Sequence, residues 1–322
     1  MAEWSSRAAR IRSDHICRRV TWASRMDARR SRHAAALLAG ESRMPLAGGR
    51  ELLAAATAGA YALPGFNVSN VEMALGVIDA AEARRAPVLL QFNPSNVEHL
   101  GGIAVAAALG RTLAARASVP VAVHLDHGPH VALLRQAARL GFTSLMFDGS
   151  IFPYERNRTE TMAAYAVAAE AGLMLEAELG HVGGREPGVA TSETVLTDPE
   201  AAARFVEETH VDALAVSVGT AHGLAGSIDL ALVHELRAAT RGLPLVLHGG
   251  SGVTPHDLRA AVVAGIRKVN ISSEVHAAFA SALAATLTTA ARDPRPALTR
   301  AREAVAAVAA QRIDLLGAAH RA

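Results

Sequence analysis

From Arg50 onward the chain alternates short apolar runs with longer Ala-rich segments, and it does so eight times. The runs lie at 62–66 (ALPGF), 87–91 (PVLLQ), 120–124 (PVAVH), 144–147 (SLMF), 173–178 (LMLEAE), 213–217 (ALAVS), 244–248 (PLVLH) and 268–271 (KVNI). Runs this short and this rich in Val, Leu and Ala are expected of strands buried on both faces, as in parallel sheets. Helices are predicted near 70–85, 102–116, 130–140, 155–171, 199–209, 229–240, 255–264 and 273–290, a last one over 296–317, and another beginning near Arg50. Strand and helix repeated eight times predict an α/β fold of the (β/α)8 TIM-barrel class. Pro87, Pro120 and Pro244 suit strand starts, where no ladder donor is needed. A doubly wound open sheet is the alternative, but it needs a nucleotide fingerprint at its first turn, and Gly65-Phe66-Asn67 is not one.

With 322 residues, 51% of them hydrophobic and 19% charged, the chain suits one large domain. Cys17 is the only cysteine, which leaves neither a disulfide framework nor a Cys-based zinc site and fits a reducing, cytoplasmic setting. No stretch approaches the ~18 uninterrupted apolar residues of a membrane span. The net charge of +2 hides an asymmetry: residues 1–43 hold ten Arg against Glu3, Asp14, Asp27 and Glu41, so the remainder is at −4. The basic charge therefore sits in an N-terminal extension, and nothing in the body points to nucleic acid. That extension, 1–43, lacks sustained periodicity and reads as a translation start placed upstream of Met44, a disordered basic tail, or an Arg- and Ser-rich transit peptide. The barrel body is expected over 44–322. Lys268 is the only lysine against 31 Arg, which reads as codon bias.

Three of the runs stop at a histidine: His127 in VAVHLDHG, His222 in LAVSVGTAHG and His248 in LPLVLHGGSG. In a barrel the strand ends face one shared mouth. Three imidazoles delivered there can hold one divalent ion, with zinc the natural partner and a fourth position left for substrate. The same mouth would collect Asn67, Gln91, Asp126, Asp148, Glu178 and Asn270. Asp126, beside a ligand but aimed elsewhere, can exchange a proton with a substrate hydroxyl, or it can merely orient an imidazole. His124 is expected to be a hydrogen-bonded core residue.

Glu176 and Glu178 alternate and so share a face, with Glu178 nearer the mouth. Gly183-Gly184-Arg185-Glu186-Pro187-Gly188 reads first as an ordinary Gly-rich surface loop, and second as a mobile loop able to carry Glu186 over the site. Gly249-Gly250-Ser251-Gly252 after the seventh run and Asn270-Ile271-Ser272-Ser273 after the eighth suit a phosphate cradle of backbone N–H groups and a helix N-terminus, although Ser272 and Ser273 also read as simple helix caps. His33, His210, His234, His256, His276 and His320 fall on helices or tails and are expected to face solvent. His99, His130 and His181 are loop residues.

The motifs GFNVSN, VAVHLDHG, SLMFDGS, LEAELGHVGG, DALAVSVGTAHG, LVLHGGSG and KVNISSE, in this order from Met44 to about Leu316, resemble the class II, zinc-dependent fructose-bisphosphate aldolases, including their tagatose-bisphosphate branch. The resemblance implies His127, His222 and His248 as ligands of a catalytic Zn²⁺, with Asp148 and Glu178 at a second or alternative metal position. It implies Asp126 as the acid/base at the C4 hydroxyl, and Glu186 as the carboxylate that moves the proton at C3. Gly223, Gly249, Ser251, Asn270 and Ser273 match the cradle for dihydroxyacetone phosphate. It further implies a homodimer or tetramer, a monovalent cation near the phosphate and a place in glycolysis. No organic cofactor is expected.

Two positions depart from the family pattern. Asn93 stands where a substrate-contacting Ser is usual, and Pro187-Gly188 stand where acidic residues are common. Both bear on the aldehyde half of the substrate, so fructose 1,6-bisphosphate leads and tagatose bisphosphate or another phosphorylated ketose follows. A Schiff-base aldolase would need a lysine nucleophile, and Lys268, expected at a strand start facing away from the mouth, does not provide one. A zinc hydrolase sits poorly with the paired phosphate loops. A non-catalytic metabolite-binding barrel sits poorly with Asp126 and Glu186.

Overall fold

Every expected apolar run forms a strand, and the order along the chain is the order around the ring. The computed structural model describes residues 46–184, 194–224, 226–287 and 292–322. Strands β1 (Leu63–Asn67), β2 (Val88–Phe92), β3 (Val121–Gly128), β4 (Ser144–Phe147), β5 (Met174–Leu179), β6 (Ala213–Val216), β7 (Leu245–Leu247) and β8 (Ile266–Ile271) pair in parallel and close into a barrel. Helix α1 (Gly49–Ala58) precedes the first strand. Between and after the strands lie α2 (Val71–Arg84), α3 (Pro94–His99), α4 (Ile103–Ala114), α5 (Val131–Leu140), α6 (Tyr154–Ala171), α7 (Pro199–Thr209), α8 (Leu230–Ala239), α9 (Pro255–Ala264), α10 (Ser273–Leu287) and α11 (Arg295–Leu315). Side-chain caps begin many of them: Asn70, Asp198, Asp229 and Thr254 each accept a backbone N–H from the first turn.

Two elements differ from expectation. A short helix, α3, follows β2 because Asn93 and Asn96 build a capping box around Pro94. Strand β8 begins at Ile266, two residues early, because the charged Arg267, read as preceding the strand, is buried here. Lys268 therefore lies in mid-strand and, two residues from Asn270, shares its inward face, fully buried with Nζ 2.8 Å from Glu176 Oε2. The expected outward-facing Lys268 is thus corrected. It remains unsuited to nucleophilic attack, because its ammonium is committed to a carboxylate.

Inward positions alternate along each strand and stack in layers. At the base, Leu53 of α1 plugs the barrel against Met146, Met174, Ala213, Ala215 and Val246. Above it the filling becomes polar: His124, Glu176 and Lys268, then Asp126, Glu178, His248 and Asn270, all buried. Glu176 and Glu178 share a face as expected, and both point inward.

The last helix, α11, lies along α2. Gly76 permits the contact, since a Cβ there would sit 2.6 Å from the Arg302 carbonyl oxygen and 3.0 Å from Val305 Cβ. No helix among the described residues is long and apolar enough to cross a membrane. Gly76→Val should push α11 off α2 and destabilise the fold by about 1–3 kcal/mol, the usual cost of overpacking. A lowered midpoint in urea unfolding checks it, and an unchanged midpoint counts against the packing described.

Candidate metal centre and active site

The centre depends on an irregularity in β3. Leu125 still pairs with Leu145, but Gly128 pairs with Phe147, so β3 advances three residues while β4 advances two. His127 takes up the extra length in the left-handed region, with φ 47°. In a regular strand Asp126 and His127 would face opposite ways. The bulge turns both to the mouth, where they line one cleft with Asn67, His222, Gly249, Ser251, Asn270, Ser272 and Ser273.

His222 and His248 reach the same point from the ends of β6 and β7. Ring nitrogens of His127, His222 and His248 all lie within 4.8 Å of one another. His127 Nε2 is 3.0 Å from His248 Nδ1. Each of these two rings has its outer nitrogen on a carboxylate: His127 Nδ1 donates to Asp148 Oδ2 at 2.7 Å, and His248 Nε2 to Glu176 Oε1 at 3.0 Å. Donation outward leaves the His248 Nδ1 lone pair aimed at the centre, and His127 Nε2 offers one once its own proton is lost. His222 is held by backbone, its N–H donating to the Gly183 carbonyl at 2.9 Å. Three imidazoles without a thiolate, converging on one point, suit zinc better than calcium or magnesium, which prefer oxygen ligands. His127, Asp148 and Glu178 form a second convergent set.

Asp126 is buried, and both oxygens accept amide hydrogen bonds, Oδ2 from Asn67 Nδ2 at 2.8 Å and Oδ1 from Asn270 Nδ2 at 2.9 Å. On the other side of the cleft the loops after β7 and β8 are knitted together. Ser251 Oγ accepts from the N–H groups of Ser272 at 3.2 Å and Glu274 at 3.4 Å, at the start of α10. Gly250 must lack a side chain, because a Cβ would lie 2.4 Å from Val269 Cγ1. Gly223, with Ser251 and Ser273, borders the outer part of this side.

This geometry coincides with a family-wide match. The profile described as "Fructose-bisphosphate aldolase class-II" matches residues 48–321. The chain belongs to the class II fructose-bisphosphate aldolase family. A probable fructose-bisphosphate aldolase of Bacillus subtilis (strain 168) is 36% identical over 271 residues, covering 81% of this chain and 94% of the relative. A fructose-bisphosphate aldolase of Staphylococcus aureus (strain Mu50 / ATCC 700699) is 35% identical over 286 residues, covering 87% and 100%. Among solved structures, the YdjI aldolase from Escherichia coli K12 superposes with a TM-score of 0.77 at 35% identity, covering 86% of this chain and 99% of that one.

Of the residues singled out from the aldolase's sequence, the structure brings together His127, His222, His248, Asp126, Asp148, Glu178, Asn270, Gly249, Gly250, Ser251, Ser272 and Ser273, with Gly223 at the rim. Glu186, with Pro187 and Gly188, lies outside the described residues. Asn93 faces its own helix: its Oδ1 accepts from Asn96 N at 2.9 Å and from Ser95 Oγ at 2.8 Å. His276, expected in solvent, is half-buried instead. Its Nδ1 donates to the Ser272 carbonyl at 2.9 Å, and its Nε2 accepts from Ser69 Oγ at 2.7 Å. Asn96 Nδ2 completes the chain by donating to Ser69 at 2.9 Å, so the first, second and eighth strand ends are linked around the mouth. Ser69 and His276 are 207 residues apart, and no spacing in the sequence marks them. Glu176 did carry a signal, its alternation with Glu178.

The aldolase's charges are sorted by their neighbours. Burial opposes a charged His127, but Asp126, then Asp148, then Glu178 outweigh it and hold the ring well above the ordinary imidazole value. Burial, then His127 and Lys268, drive His248 well below that value. Asp126 stays below the usual carboxylate range: burial works against ionisation, but His127, Lys268 and His248 prevail. Asp148 is held lower still, against burial, by its hydrogen bond to His127. Burial, reinforced by Asp148, pushes Glu178 up to about 8.

At pH 7 the metal-free centre therefore keeps a proton on His127 that an incoming metal must displace. Zinc uptake at that pH should release about one proton, and apparent affinity should rise with pH through the neutral range. Calorimetry in buffers of different ionisation enthalpy reads the proton count, and proton-independent uptake would contradict this arrangement.

Proposed function

We propose that this class II aldolase uses zinc held by His127, His222 and His248 to cleave a ketose 1,6-bisphosphate reversibly, fructose 1,6-bisphosphate first among them. The products are dihydroxyacetone phosphate and an aldehyde such as glyceraldehyde 3-phosphate. The convergence of three imidazoles beside an amide-clamped Asp126 is the observation that carries this reading. Bound zinc supplies a Lewis acid for the negative charge that carbon–carbon cleavage leaves on the ketose half.

The chain's own groups do the rest. Asp126, held in place by Asn67 and Asn270 and kept ionised, against burial, chiefly by His127, takes the proton from the C4 hydroxyl as the C3–C4 bond breaks and C4 becomes the aldehyde. Glu186 returns a proton to C3 of the remaining half. Gly223, Gly249, Gly250, Ser251, Asn270, Ser272 and Ser273 cradle its phosphate through backbone N–H groups, hydroxyls and the N-terminus of α10. Asp148 orients His127, and with Glu178 it offers a second metal position. To the same reading belong a monovalent cation beside the phosphate, a homo-oligomer, a body that starts near Met44, and a cytoplasmic place of action.

Asn93 favours a second reading of the aldehyde half. Its carboxamide is used in capping α3, so the wall after β2 presents no serine hydroxyl to the substrate. Tagatose bisphosphate, or another phosphorylated ketose, fits that altered wall.

Cleavage assays on both bisphosphates, with and without chelator, decide between the two. Chelator-sensitive release of dihydroxyacetone phosphate from fructose 1,6-bisphosphate supports the leading reading, and release from tagatose bisphosphate alone supports the second. Asp126→Ala should lower kcat by about 10²–10⁴ while leaving zinc content unchanged. A variant with near-parental kcat would remove Asp126 from the chemistry.

A further inference from the structure

Beneath the three histidines lies a fully buried ion pair that the reaction as described does not use. Lys268 Nζ sits 2.8 Å from Glu176 Oε2 and donates to Oε1 at 3.0 Å. A second proton meets the Gln91 carboxamide oxygen at 3.2 Å, in the amide orientation that also places the Gln91 nitrogen 2.9 Å from the Gly65 carbonyl. The ammonium thus donates to Glu176 Oε1 and to Gln91, and is ion-paired with the carboxylate as a whole. Glu176 Oε1 has a second partner on its upper side, His248 Nε2 at 3.0 Å. Lys268, Glu176 and His248 each have no exposed surface.

We propose that Lys268 and Glu176 are positioning residues for the metal, a buried pair that fixes the tautomer and ring orientation of His248. The inference rests on the zinc reading above. A lone carboxylate under His248 would be free to rotate between His248 Nε2 and the neighbouring His124 Nε2, which is 3.9 Å from Glu176 Oε2. Lys268 hydrogen-bonds Oε1 from below with Oε2 2.8 Å away, and removes that freedom. Oε1 then accepts the Nε2–H of His248, and the Nδ1 lone pair is left facing His127 Nε2. Carboxylate partners of this kind commonly set the orientation and basicity of a metal-bound imidazole.

Composition supports the assignment independently. The chain uses arginine 31 times and lysine once, so its coding preference excludes lysine wherever a cation suffices. The single exception lies under the metal centre, where a compact ammonium reaches three oxygens. A planar guanidinium on a longer stem has no matching geometry there. Codon bias accounts for the arginines but not for this lysine.

The test compares the parent full-length chain with Lys268→Met, Lys268→Arg and Glu176→Gln. Zinc affinity of the metal-free proteins is read by competition with a chromophoric chelator. The visible spectrum after cobalt substitution and the thermal midpoint of the metal-free state are read alongside. The proposal expects zinc bound by the parent, a 10–100-fold weaker affinity in both lysine variants, and a shifted cobalt spectrum. Glu176→Gln, which keeps an acceptor for His248 but breaks the ion pair, should move in the same direction. Loss of affinity in folded Lys268→Arg, where charge is kept, separates geometry from electrostatics. If Lys268→Met does not fold, Lys268→Arg and Glu176→Gln carry the decision. Parental affinity and an unchanged cobalt spectrum in the folded variants overturn the proposal and leave the zinc reading standing. A parent that binds no zinc overturns both.

Discussion

A closed barrel gives water no access to its middle layers, so every inward charge must find its partner within the protein. Here those layers hold three imidazoles of the centre, His124, four carboxylates and one ammonium. They are arranged so that the outward ring nitrogens of His127 and His248 each meet an oxygen. His127 leans on Asp148, His248 on Glu176, and Glu176 in turn on Lys268. Removing one member strands the next as a buried, unmatched group. Replacing them all by apolar residues would give a barrel with nothing at its mouth to bind.

That arrangement also explains why the proton inventory is uneven. Asp126 and Asp148 ionise easily because His127 stands between them, while Glu178, close to Asp148, is pushed up to about 8. Groups a few ångströms apart thus prefer opposite states at neutral pH, a separation that suits acid–base work. The β3 bulge is the backbone side of the same design. Without the left-handed turn at His127, Asp126 and His127 would lie on opposite faces of the strand and could not line one cleft.

Strand positions and the three histidines are legible in the sequence because they follow period and polarity. An apolar run that ends in a polar, Gly-containing loop marks a buried strand stopping at the barrel mouth. The inward direction of Lys268 follows from its two-residue spacing to Asn270, but a lone charge at a strand start looks solvent-facing because its buried partner Glu176 is far away in sequence. Strict alternation aims Asp126 away from its neighbour, since a two-residue period cannot foresee a bulge. The Ser69–His276 bridge is invisible on different grounds. It joins the loop after the first strand to the helix after the last, and nothing local distinguishes His276 from a surface histidine. Asn93 stands out in sequence as a departure from the family pattern, but only the capping box shows where its side chain goes.

The proposed chemistry turns on His127, His222 and His248 sharing one metal ion. X-ray absorption at the zinc edge of the zinc-loaded protein reads that coordination without relying on activity. Three-histidine ligation predicts scattering from nitrogen and oxygen neighbours at about 2.0–2.1 Å, with the more distant ring-atom signature of three imidazoles, and its loss in His248→Ala. Oxygen neighbours alone, or a spectrum indifferent to His248, would contradict it.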